Sequence, residues 1–183
     1  MQPAVVLMVF SHMYNELDGA QEHWFIRNVL NACGLSCFSV GSAVVATGFS
    51  HYSITDSVYT WVGLLAAVIT TTVQVQDLPD VEGDRARGRK TMLLMYGDKV
   101  TRWSIAVLVV FWSVACCWYW ELSYLSYVPG VAVAALMAWR VLLRRKLDED
   151  EVTWKLWCVW MMVLYMLPLF KRLEGSSILE ALA

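Results

Sequence analysis

Charge is what this chain has least of. Asp, Glu, Lys and Arg make up 16% of its 183 residues, against roughly 25% in a typical soluble domain. So few charges cannot cover the apolar surface of a chain that is 58% hydrophobic, which argues against an ordinary soluble globule. The same hydrophobicity rules out intrinsic disorder. A formal net charge of −2 supplies no basic field, so nucleic acid is excluded as a partner. The five cysteines (Cys33, Cys37, Cys116, Cys117 and Cys158) all sit in apolar stretches and are odd in number, which excludes a disulfide framework. With His12, His23 and His51 they form no zinc-ligand spacing. Residues 1–13 have neither a basic n-region nor a small-residue cleavage site, so they are not read as a signal peptide; they resemble the tail of a helix. No internal repeat or low-complexity linker is present.

What the sequence does have is long uncharged runs. Residues 29–49, 57–75, 103–120 and 122–139 carry no charge, and residues 156–170 form a shorter fifth run. A bilayer core takes about 20 apolar helical residues, with a range near 17–25. The first four runs fit outright, and the fifth fits if Trp154, Lys155 and Lys171 lie at the interfaces. Backbone polar groups in lipid must be satisfied within the segment, so the runs are expected to be helical. The expected fold is all-α: one integral membrane domain over residues 1–183, a multi-pass transmembrane helix bundle of about five spans plus an N-terminal partial helix. If the helices alternate, twelve of the fourteen Lys and Arg fall in the connections 11–28, 76–102 and 140–155. The positive-inside rule makes that side cytoplasmic. The acidic residues 148–151 read as a solvated turn between two helices.

One connection carries the chemistry. In Gln76-Asp77-Leu78-Pro79-Asp80-Val81-Glu82-Gly83-Asp84, three aspartates are spaced i, i+3 and i+7. On a helix, Asp77, Asp80 and Asp84 fall within roughly 60° of one another; Pro79 is tolerable in a first helical turn, which leaves open that the motif straddles a helix end. Three converging carboxylates repel unless a counter-charge is present, and hard divalent cations prefer such oxygen ligands. Magnesium keeps part of its shell for water and substrate phosphates, so the cluster suits a diphosphate held through Mg²⁺. Arg85, Arg87, Arg89 and Lys90 follow as candidate phosphate clamps; part of this basic run also serves as a topology signal. Gln74, one turn earlier, is a candidate lining residue. The spacing does not fit an EF-hand, and Gly83 and Gly88 do not make a phosphate-binding Gly-rich loop.

The pattern Asp-x-x-Asp-x-Glu-Gly-Asp-x-x-x-Gly-x-x-Thr, from Asp77 to Thr91, resembles the second aspartate-rich motif of the UbiA superfamily of intramembrane prenyltransferases. The stretch 14–18, with His23-Trp24 and Arg27-Asn28, resembles fungal secondary-metabolism members. The rival CDP-alcohol phosphotransferase motif fits poorly, because Val81 stands where it requires Gly.

The resemblance implies a nine-helix fold in which two aspartate-rich motifs bind Mg²⁺ and an isoprenyl diphosphate. It implies Asp77, Asp80 and Asp84 as metal-binding and catalytic residues. Arg85, Lys90 and Gln74 become candidate substrate contacts, and Trp61, Trp103, Trp112, Trp118 and Trp120 candidate carbocation stabilisers. The expected reaction is prenyl transfer, with farnesyl diphosphate the leading donor and an aromatic or polyketide compound the small-molecule acceptor. The alternatives are sesquiterpene cyclisation and a catalytically incomplete remnant or subunit. The family's first motif, Asn-x-x-x-Asp-x-x-x-Asp, has no counterpart here, and Gln76 replaces the usual Lys. The resemblance therefore covers the C-terminal part of the fold, with a second chain or a truncated reading frame accounting for the rest. The endoplasmic reticulum is the expected membrane.

Overall fold

A computed structural model describes residues 2–48 and 54–182. Among them every regular element is helical: α1 (Pro3–Asn15), α2 (Gly19–Glu22), α3 (Trp24–Gly48), α4 (Asp56–Thr72), α5 (Val81–Ala86), α6 (Met92–Tyr119), α7 (Tyr124–Leu143) and α8 (Leu147–Leu182). Five stretches are long and apolar enough to cross a membrane: Trp24–Gly48, Asp56–Asp77, Met92–Tyr119, Tyr124–Leu143 and Leu147–Ser176. The expected helix bundle with a short N-terminal helix is therefore what the chain forms. His51, and most of the connection that holds it, lie outside the described residues.

The chain divides into two compact units at Gly97. Gly97 itself has φ +83° and ψ 167°, so α6 is two helices joined at a non-helical residue. Nothing lies within 4 Å of a β-carbon built there, so backbone conformation, not space, is what calls for glycine.

In the first unit α1 and α4 pack against α3, and the short α2 folds under it. The core is built from Leu30 and Ala32 of α3, and from Trp61, Leu65, Val68 and Ile69 of α4. Phe25, Phe38, Val45 and Tyr59 remain exposed, as expected where lipid is the solvent.

In the second unit α6, α7 and α8 are tied by polar links at three levels along α8. At one end the buried Arg102 forks onto Asp150, with Nη1 to Oδ1 at 2.7 Å and Nη2 to Oδ2 at 2.6 Å, and Nη1 also donates to the Val141 carbonyl at 3.0 Å. In the middle, Trp160 Nε1 donates to Ser113 Oγ at 2.7 Å, and Ser113 donates to the carbonyls of Val109 and Gly130. At the far end Glu174 accepts from the Ser123 amide, the Ser123 hydroxyl and the Ser126 hydroxyl at the start of α7. At 1.5 Å per residue these levels are about 15 and 21 Å apart. Interhelical hydrogen bonds of this kind replace the hydrophobic driving force that lipid removes.

One local expectation fails here. Residues 148–151 are not a solvated turn: they form the first turn of α8, where acidic side chains complement the helix dipole. Asp150 is only 3% exposed and carries the Arg102 fork. Arg140 pairs with Glu149, and Arg145 reaches Asp98 at 3.4 Å.

Candidate active site

The site is assembled where α4 runs out. Its last turn tightens into a 3₁₀ segment, Val73–Asp77. Pro79 has no amide hydrogen to continue the ladder, and the chain turns before restarting as α5 at Val81. Asp77 therefore belongs to the end of one helical segment, Asp80 to the cap of the next, and Asp84 to its interior. This break overturns the expectation that the three carboxylates share one face. Asp77 and Asp84 are each 1% exposed, whereas the Asp80 side chain is 49% exposed. Among the described residues no three His, Cys, Asp or Glu side chains close on a common point.

Each aspartate instead holds an arginine. Arg27 Nη1 of α3 donates to Asp77 Oδ1 at 2.5 Å, with both side chains at or below 5% exposure. Arg89 Nη1 donates to Asp84 Oδ1 at 2.8 Å. Arg87 meets Asp80 at 3.1 Å near the surface, where such a pair is worth about 0–1 kcal/mol. Asp84 also lies within electrostatic range of Asp77 and of Arg27. A β-carbon at Gly83 would overlap Asp80 Oδ1, so a side chain there would displace the half-exposed Asp80 carboxylate. Gly88, at φ +67°, then lets the chain reverse after α5, and the buried Thr91 hydroxyl accepts from the Leu94 amide at 3.4 Å as α6 begins.

Gln74 is 2% exposed. Its Oε1 accepts from Asn28 Nδ2 at 3.2 Å, and its Nε2 donates to the Thr71 carbonyl at 2.7 Å. It is bound into the α3–α4 contact. Arg85 and Lys90 are exposed and make no ion pair among the described residues. Of the candidate aromatic residues, Trp61 is buried in the unit that carries the aspartates, while Trp103 and Trp118 face outward.

Sequence reasoning missed the roles of Arg27 and Asn28. Arg27 was counted as a topology charge, yet an ionisable side chain at the edge of an apolar span calls for a named partner. Asn28 is 1% exposed and also donates to the Thr70 carbonyl at 3.0 Å.

The donor set fits a hard cation. Asp84 Oδ2 is buried and has no hydrogen-bond partner, an expensive state for a carboxylate oxygen unless something else satisfies it. Asp77 and Asp84 together supply the one or two carboxylates that magnesium takes from a protein.

Residues 3–165 match the UbiA prenyltransferase family. The chain belongs to that family. Similar members of known product class include a fumagillin beta-trans-bergamotene synthase from Aspergillus fumigatus, 27% identical over 164 residues, which cover 90% of this chain and 56% of that protein. A somaliensene A/B synthase from Streptomyces somaliensis is 30% identical over 84% of this chain and 52% of its own length. A polyprenyl transferase from Hericium erinaceus is 32% identical over 52% of this chain and 31% of its own length. No solved structure matches. The UbiA chain thus spans about half the length of these two synthases.

Proposed function

We propose that this membrane protein acts on an isoprenyl diphosphate, with the carboxylates of Asp77 and Asp84 holding Mg²⁺ on the diphosphate side. The observation that carries this reading is the pair of buried aspartates, one with an unpartnered oxygen, inside the matched family region. Asp80 completes the set by leaving its exposed Arg87 partner, a pair weak enough to give up. When bound, the metal would neutralise charge growing on the departing diphosphate. Arg89 holds Asp84 in place, and the exposed Arg85 and Lys90 are free to meet phosphate oxygens at the mouth of the site. The family's first motif has no counterpart among these residues, so this reading covers one half of the metal site.

Of the two outcomes for the allylic cation, intramolecular cyclisation is favoured over transfer to an aromatic or polyketide acceptor. The relatives matching over most of the chain are terpene synthases; the polyprenyl transferase matches over about half of it. The experiment is product analysis on farnesyl diphosphate with and without an aromatic acceptor, using membranes that contain the chain together with the missing motif. A cyclic hydrocarbon formed without acceptor supports cyclisation; a prenylated acceptor supports transfer. Loss of neither product in Asp84→Asn would refute the site.

A further inference from the structure

The first unit contains a buried cation that the proposed reaction does not use. Arg27 comes from α3, fifty positions before Asp77, and reaches it at a distance of 2.5 Å in a setting that excludes water from both side chains. Its hold is incomplete: Nη1 donates to one oxygen of Asp77, while the buried Nε has no acceptor. Asp84 Oδ2, which lies within electrostatic range of Arg27, is also buried without a partner. An idle donor on the guanidinium and an idle acceptor on Asp84 thus lie within electrostatic range of each other, and a cation at Asp77 would have to compete with that guanidinium for the same carboxylate.

We propose that Arg27 is a resident competitor for the metal at Asp77, and that it makes cation binding conditional on the diphosphate. This rests on the reading of the site given above. With no diphosphate bound, the guanidinium occupies Asp77 and disfavours a divalent cation there. A diphosphate offers several anionic oxygens in the geometry a guanidinium fork prefers. Moving onto those oxygens satisfies the idle Nε and releases Asp77. Coupling of two binding events is reciprocal, so the cation and the diphosphate each tighten the other's binding. The arrangement keeps the acidic motif from loading metal before substrate. Arg27 is therefore a positioning residue that acts through Asp77.

The test measures Mn²⁺ retained by the detergent-solubilised chain in equilibrium dialysis, with methylenediphosphonate at equal concentration on both sides as the diphosphate probe, so that Mn²⁺ chelated by the probe in solution cancels. Wild type is expected to bind Mn²⁺ weakly alone and more tightly with the probe. Arg27→Gln is expected to bind Mn²⁺ alone about tenfold more tightly, a shift on the scale of ordinary site-to-site coupling, and to lose the tightening by the probe. Arg27→Gln binding Mn²⁺ no more tightly than wild type, while Asp84→Asn loses binding, overturns the role of Arg27 and leaves the metal site standing. Equal Mn²⁺ binding by wild type and Asp84→Asn overturns the metal site itself. Because Arg27→Gln strands a buried carboxylate, its thermal unfolding is followed as well. Mn²⁺ should raise its midpoint by more than it raises that of wild type, and an equal or smaller rise contradicts the proposal.

Discussion

Replacing Asp150 with alanine strands the Arg102 guanidinium inside the second unit. Arg102 is 4% exposed and loses both arms of its fork, at 2.7 and 2.6 Å. Removing one partner of a buried ion pair costs about 3–5 kcal/mol, because the survivor stays desolvated. Two contacts remain, Nε to Asp98 at 2.5 Å and Nη1 to the Val141 carbonyl at 3.0 Å. Asp98 is 45% exposed, and a partner open to solvent returns at most about 1 kcal/mol. The expected loss is therefore near the low end, about 3 kcal/mol. The assay is reversible unfolding in mixed micelles with increasing sodium dodecyl sulfate. The Arg102→Met/Asp150→Leu double variant should lie within about 1 kcal/mol of wild type, because an apolar pair of similar volume is often neutral in place of buried charges. A loss below about 1 kcal/mol for Asp150→Ala, the range of exposed pairs, would refute the reasoning.

Ser113→Ala removes the acceptor of Trp160 Nε1 and should cost about 0.6–2 kcal/mol in the same unfolding assay, the range of interhelical hydrogen bonds in bilayers. Gly97→Ala forces a β-carbon onto a residue at φ +83°, with an expected cost of about 1–3 kcal/mol; an unchanged midpoint would show that the break in α6 relaxes freely. The purified chain with Mg²⁺ should turn over farnesyl diphosphate poorly or not at all, because the family's first motif is not among its residues; robust product formation, measured by gas chromatography, would contradict this.

The helices were legible because lipid imposes a simple demand. A span needs an uncharged run of a given length, and runs such as 103–120 and 122–139 meet it without reference to any partner. The aspartate motif was legible because three carboxylates beside an apolar span are costly without a counter-charge. Its geometry was not, because periodicity assumes an unbroken helix. Pro79 ends one helical segment and Asp80 caps the next, which turns Asp80 outward while Asp77 and Asp84 stay buried. Arg27 and Asp150 were misread for a different reason. Each was judged by its neighbours in sequence, as a topology charge and as part of an acidic turn, but their partners lie 50 and 48 residues away. Long-range pairing of buried charge leaves no local pattern.

In the proposed function Asp77 and Asp84 hold a divalent cation, a role open to one decisive measurement. Its most direct test is a Mn²⁺ titration of Asp77→Asn and Asp84→Asn against the unaltered chain, in the presence of methylenediphosphonate. Each substitution should weaken Mn²⁺ binding by at least the roughly 10–100-fold that even a supporting residue of a metal site is worth. Binding curves that superimpose on that of the unaltered chain would contradict it.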